Sequence, residues 1–111
     1  MTKAQLRKWI VRQLKQQKED DRRRKSAVIR RKLRRLEVFR NAKTIVCYVS
    51  LPYEVETWRL IERMCEDRKR VVVPVVRQEE LQLSELRRPT DLAPGAFGVW
   101  EPLPRARRLV S

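Results

Sequence analysis

The sequence predicts an α/β fold in which two amino-terminal helices lead into a β-α-β unit of a parallel sheet. Apolar residues recur at helical spacing up to about Asn41. Uninterrupted apolar runs of strand length follow, and an amphipathic segment separates the first two of these runs. At 111 residues the chain is one domain at most, long enough to bury a modest core.

Leu6, Ile10 and Leu14 recur every four residues, with Trp9 and Val11 beside them, so the first helix is expected from about Lys3 to Gln17 with one apolar stripe. Asp20 and Asp21 open a second helix reaching to about Asn41, with Ile29, Leu33, Leu36 and Phe39 as its buried face. Thr44 to Val49 reads as a strand, Val55 to about Asp67 as a helix and Arg70 to Val76 as a second strand. Because both strands are continuously apolar, they should be covered on both faces, as in a parallel sheet joined by a right-handed crossover. Leu81 and Leu83 alternate with polar residues and predict a short, half-exposed third strand before a turn-rich stretch from Pro89 to Gly98. After Pro104, residues 105–111 are expected to form a tail without a regular element.

The net charge of +14 is concentrated at one end. Residues 1–43 hold 17 Lys and Arg against 4 acids, whereas residues 44–111 hold 11 against 10. A surface of this kind attracts polyanions in general: nucleic acid, acidic membranes, nucleotides or polyglutamylated cofactors. The favoured reading of the helical charges is a solvated exterior whose aliphatic stems cover apolar surface, ahead of a dedicated nucleic-acid surface. Two cysteines, Cys47 and Cys65, and no histidine argue against a disulfide framework or a zinc site, and suit buried thiols in a reducing cytoplasm. No apolar run approaches the length of a membrane span. Residues 1–18 are basic and free of acids, as in a transit peptide, but they lack serine and are read as part of the mature protein.

The segment Ser50-Leu51-Pro52-Tyr53-Glu54-Val55-Glu56-Thr57-Trp58 lies where the first strand ends and the following helix begins, the usual place for a site in an open α/β sheet. Pro52 breaks the strand, and Glu54 and Glu56 are expected in the first helical turn, where the helix dipole favours carboxylates. Capping is one reading of these carboxylates; the other is that one of them, presented at the carboxyl end of a strand, accepts hydrogen bonds from a ligand. Trp58 is assigned to the core, and Trp100 is left open between the core and a flat aromatic ligand.

This segment resembles the substrate segment of the 5-formyltetrahydrofolate cyclo-ligase family, also called 5,10-methenyltetrahydrofolate synthetases. Three further stretches resemble family elements in the same order: Lys3-Ala4-Gln5-Leu6-Arg7 its amino-terminal K-x-x-x-R, Val71-Val72-Val73-Pro74 its second strand, and Gly95 to Pro102 its G-x-F-G-I-x-E-P element. The resemblance covers the amino-terminal part of a typical member. It implies a parallel, Rossmann-like three-layer sheet, here truncated, in a single incomplete domain: a basic helical arm over residues 1–43, a β-α-β and strand part over 44–104, and the tail.

The resemblance also implies a cytoplasmic ligase of folate and one-carbon metabolism that uses ATP and Mg²⁺. ATP would phosphorylate the formyl oxygen of 5-formyltetrahydrofolate, N10 would attack the activated carbon, and loss of phosphate would leave 5,10-methenyltetrahydrofolate. Lys3, Ala4, Gln5, Leu6 and Arg7 match the ATP-contacting positions, with Lys3 and Arg7 gripping a phosphate from one helical face. Leu51 and Glu56 match the folate contacts. No catalytic side chain and no metal ligand is assigned. The family's glycine-rich phosphate loop and Mg²⁺ ligands are expected in the absent carboxyl-terminal part, since Gly95 and Gly98 are the only glycines. The chain alone is therefore expected to be impaired as a ligase. Two alternatives stay open: a basic α/β module binding RNA or another polyanion, and a half-domain whose sheet is completed by a second chain.

Overall fold

The computed structural model describes every residue except Glu79, Ala96, Phe97 and Ser111. Thr2 and Gln5 begin the first helix by exchanging hydrogen bonds, each side chain accepting from the other's backbone N-H at 3.1 and 2.9 Å. Helix α1 spans Lys3–Gln16, close to expectation, and none of its residues is buried. Helix α2 spans Glu19–Arg35, with acids Glu19, Asp20 and Asp21 in its first turn and Lys32, Arg34 and Arg35 in its last, both matched to the helix dipole.

The single second helix expected to reach Asn41 is instead two. Leu36 is extended at φ −67° and ψ 130°, and a short helix α3 follows over Glu37–Asn41. The extra helix end is offset by Lys69, whose ammonium donates to the carbonyls of Phe39, Arg40 and Ala42 at 3.1, 3.1 and 2.6 Å. The expected buried face is also corrected. Leu33 and Phe39 pack against the core, but Ile29 and Leu36 remain 47% and 53% exposed. The face of α2 that meets the rest of the chain carries Arg22, Ser26, Arg30 and Leu33, so α2 docks largely through polar groups.

Strand β1 covers Thr44–Val46, shorter than expected, although Cys47 still donates its N-H to Val72 O at 2.9 Å. Helix α4 covers Trp58–Glu66, and strand β2 covers Arg70–Arg77. β1 and β2 pair in parallel from Thr44↔Arg70 to Val46↔Val72. Consecutive Val71, Val72 and Val73 are all at most 1% exposed, so β2 is covered on both faces as its sequence implies.

The next strand turns back rather than crossing over. β3, Glu80–Leu86, pairs antiparallel with β2 from Val71↔Leu86 to Arg77↔Glu80, through a tight turn in which Gln78 takes φ +51°. A two-residue link is too short for a crossover, so the sheet becomes mixed. β4, Leu92–Pro94, and β5, Trp100–Pro102, form a separate hairpin. The expected tail is corrected too: after a 3-10 turn at Pro104–Ala106, β6, Leu109–Val110, pairs with Leu83 and Ser84. Ser84 Oγ accepts from Arg108 N at 3.0 Å, and Glu85 N donates to Arg108 O at 2.9 Å, which anchors a strand too short to pair by itself. The sheet order is β1-β2-β3-β6, leaving β1 at one edge.

The core gathers Val49, Leu60, Ile61, Met64, Val71, Val73, Leu86 and Leu92, packing the apolar side of α4 onto β2. Among the described residues, no helix is long and apolar enough to cross a membrane.

Candidate active site

The loop between β1 and α4 is closed at its base by two buried hydroxyls. Thr57 Oγ1 accepts from Ser50 N at 3.0 Å and donates to Tyr48 O at 2.8 Å, while Ser50 Oγ accepts from Thr57 N at 3.1 Å. Trp58 Nε1 adds a bond to Ser50 O at 3.3 Å. With its ends clamped, residues 51–56 project as a preformed loop.

Within the loop the two carboxylates have different partners. Glu54 Oε1 accepts from Leu51 N at 2.7 Å, and Glu54 N donates to Leu51 O at 3.0 Å, so this side chain closes a local turn. Glu56 faces outward from the loop. Its Oε1 accepts from Arg59 N at 2.8 Å, and its Oε2 meets Arg30 Nη1 at 3.4 Å. Both glutamates precede α4 instead of lying in its first turn, because Thr57 is the N-cap; Glu56 nonetheless satisfies one of the free N-H groups at the helix start.

Helix α2 holds this loop from the other side. Ser26, 1% exposed, accepts from Glu56 N at 2.9 Å, and Arg22 Nη1 donates to Glu54 O at 2.8 Å. Arg22 in turn pairs with Glu19 at 2.9 Å, which raises the guanidinium pKa and lowers that of the carboxyl. Neither Ser26, Arg22 nor Arg30 was singled out by sequence reasoning. The available signal was a serine on an otherwise cationic helix, four residues from an arginine on each side.

Glu56, Arg30, Trp58 and Arg59 line a cleft of about 350 Å³ together with Glu19, Arg22, Arg23 and Glu62. Trp100 of β5 stacks edge-to-face on Trp58, ring centres 5.4 Å apart and planes at 80°, which brings the Gly95 to Pro102 element to the site. Trp58 packs against the core as expected, while Trp100 is 40% exposed. Ala96 and Phe97 of this element lie outside the described residues. Its Gly95 is required by close approach, since a Cβ there would lie 2.6 Å from Glu101 Cγ. Glu101, 9% exposed, accepts from Val76 N at 3.2 Å and Arg107 Nη2 at 3.0 Å, so it ties the hairpin to β2.

The proposed nucleotide residues Lys3, Ala4, Gln5, Leu6 and Arg7 occupy the start of α1 and are exposed. Arg7 lines a groove of about 580 Å³ along α1 with Lys8, Val11, Arg12, Lys15 and Gln16. α1 approaches the loop at its other end, where Lys15 Nζ sits 5.1 Å from the centre of the Tyr53 ring. At 1.5 Å per residue, Lys3 is about 18 Å further along the helix axis. Leu51 and Glu56 thus share the loop, but Leu51 is not among the residues that line the cleft beside Glu56, and Lys3 to Arg7 are not brought to either. Among the described residues, no group of three or more Cys, Asp or Glu could hold a metal. Cys47 and Cys65 are free and partly buried, and burial pushes Cys47 up to about 11 and raises Cys65.

The model of the 5-formyltetrahydrofolate cyclo-ligase family matches residues 1–111. The chain belongs to this family. The NMR structure of Aquifex aeolicus 5,10-methenyltetrahydrofolate synthetase superposes with a TM-score of 0.85 at 29% identity, over 99% of this chain and 55% of that one. The chain thus spans about half the length of that synthetase. Comparison with curated proteins finds no match.

Proposed function

We propose that this cyclo-ligase chain takes part in the ATP-dependent conversion of 5-formyltetrahydrofolate to 5,10-methenyltetrahydrofolate in the cytoplasm, with impaired turnover when the 111 residues act alone. The observation that supports this most is the half-bonded carboxylate of Glu56. A carboxylate offers about four lone-pair positions. Glu56 spends one on Arg59 N and one on Arg30. One position on each oxygen is left for the paired N-H donors of a pterin edge, with Leu51 of the same loop as an apolar contact.

In the proposed reaction the formyl oxygen takes the terminal phosphoryl group of ATP, N10 attacks the activated carbon, and phosphate departs. Lys3 and Arg7, one helical turn apart, would contribute positive charge against the phosphates. Mg²⁺ needs clustered oxygen ligands, which the described residues do not supply. A phosphate loop needs several close backbone N-H groups; Gly95 packs against Glu101 and gives its N-H to Val99 O at 2.9 Å, which leaves Gly98, at φ +75° and in open space, as one glycine for the task. Turnover by these residues alone is therefore expected to be slow or nil. A second chain completing the sheet would pair at β1, where Val46 is 61% exposed.

The test is to titrate the purified chain with 5-formyltetrahydrofolate by calorimetry, and separately to follow formation of the methenyl product with ATP and Mg²⁺. Binding that weakens about tenfold or more in Glu56→Gln is expected. Equal affinity in both proteins would overturn the assignment of Glu56, and efficient turnover would overturn the expected impairment. Affinity for RNA that falls steeply with salt, with none for folate or ATP, would favour the polyanion module suggested by the basic arm.

A further inference from the structure

The geometry points to Arg30 as a specificity-determining residue: with Glu56 it forms a two-sided reader of a 2-amino-4-oxopyrimidine edge. This rests on the reading of Glu56 as the pterin contact. Such an edge presents two donors, the 2-amino group and N3-H, followed by one acceptor, the 4-oxo oxygen. A carboxylate can take the two donors but repels the acceptor, so a reader of all three needs a fixed cation at the acceptor end.

Arg30 is placed for that task. It lies on α2, 26 residues before Glu56, and its side chain is 18% exposed in the wall of the same cleft. Its contact with Glu56 is one bond of 3.4 Å from Nη1, which leaves further N-H donors of the five-donor fork uncommitted to that carboxylate. The separation of the two groups is fixed by Ser26, one turn earlier on α2, which accepts from Glu56 N at 2.9 Å. The two backbones are therefore held side by side, the Glu56 carboxylate is further positioned by Arg59 N at 2.8 Å, and the guanidinium stands within 3.4 Å of it in the cleft wall.

The experiment compares 5-formyltetrahydrofolate with its 4-thioxo analogue, in which sulfur replaces the 4-oxo oxygen and N3 keeps its hydrogen, by calorimetry on the full chain. Wild type is expected to prefer the 4-oxo compound by about fivefold or more, since sulfur accepts more weakly from the Arg30 donors while the two donors facing Glu56 are unchanged. Arg30→Gln should reduce the preference to within about twofold, and Arg30→Lys should restore part of it. A merely structural role would weaken both ligands equally. Unchanged preference in Arg30→Gln overturns the proposal alone, and should that variant not fold, the near-isosteric Arg30→Met is measured in the same way. Binding of neither compound by wild type overturns the reading of Glu56 and this one with it.

Discussion

In the sheet region, Ile61, Val71, Val73 and Val75 have no exposed surface; in the helical arm, the buried side chain is Ser26, a hydroxyl that accepts a backbone N-H from the loop before α4. α1 and α2 keep Leu6, Trp9, Ile10, Val28 and Ile29 between 39% and 50% exposed. Their attachment runs through Leu33 at the edge of the core and, for the larger part, through Ser26, Arg22 and Arg30 around residues 54–56 and Lys15 over Tyr53. Apolar burial thus holds the sheet region together, whereas directional polar bonds converging on the candidate site dock the arm. Burial is tolerant of small displacements and hydrogen bonds are not. The polar attachment accordingly sets the geometry at Glu56 more tightly than an apolar contact of equal strength could.

The largest expected effect follows from the sheet side. Ile61 touches both β2 and its own helix neighbours and is fully enclosed. Ile61→Ala should destabilise the chain by about 3 to 4 kcal/mol, the lost transfer energy plus a cavity, read as a fall in the urea midpoint. A loss below about 1 kcal/mol would mean that the sheet region relaxes like the arm.

A second, smaller effect is pH-dependent and again belongs to the sheet side. Burial pushes the Cys47 thiol from its ordinary 9.0 to about 11. The folded chain therefore keeps a proton that the unfolded chain releases once pH passes about 9. Stability should be level with respect to this group below pH 9 and decline as pH rises to about 11, by at most about 2 to 3 kcal/mol. Cys65 and Tyr48, both raised chiefly by burial, act in the same direction. Urea unfolding between pH 8 and 11 should show the decline, flattened in Cys47→Ala; an identical slope in that variant would remove Cys47 as its source.

The contrast also explains which parts of the molecule the sequence reveals. Helix α1 was legible nearly to the residue because its apolar period is a local signal. The β-α-β unit was legible because the valines of β2 are apolar on both faces. Where conformation depends on distant partners, the signal fails. Leu36 interrupts the second helix with no glycine or proline nearby, and what stabilises the new end, Lys69, lies 27 residues beyond Ala42. Gln78 and Arg68 adopt positive φ where glycine is the usual choice, so the hairpin turn and the end of α4 carried no turn signal. Strand β6 has two residues and depends on Ser84. At the site, Leu51, Glu54 and Glu56 were visible as a motif, but the α2 residues that hold them are 26 to 32 residues away and lie in a run of arginines where no single one stands out.

Lys69 joins the two regions and gives the third prediction. Its ammonium donates to three carbonyls at the end of α3 and sits 5.4 Å from the Phe39 ring centre. Lys69→Met keeps the stem and removes the donors, leaving partly buried carbonyls with fewer partners. A loss of about 1 to 2 kcal/mol is expected in the urea midpoint, with faster amide exchange confined to α3. Exchange that rises equally through β2 would show that the junction is part of the core.

The smallest expected effect tests the arm itself. Ile10 sits in the apolar stripe of α1, yet 44% of it is exposed and no residue of α1 is buried. If burial held α1 in place, Ile10→Ser would cost as much as a partly buried core truncation. Because docking here depends on polar contacts at residues 15 to 30, the substitution removes little enclosed surface and trades one modest helix former for another. The expected change is within about 0.5 kcal/mol, measured against Ile61→Ala under the same conditions. The pair isolates the comparison, since both substitutions truncate an isoleucine on a helix and differ in what surrounds it. A loss above about 1 kcal/mol for Ile10→Ser would show that the stripe is covered in solution, and the division between a packed sheet region and a polar-docked arm would no longer hold.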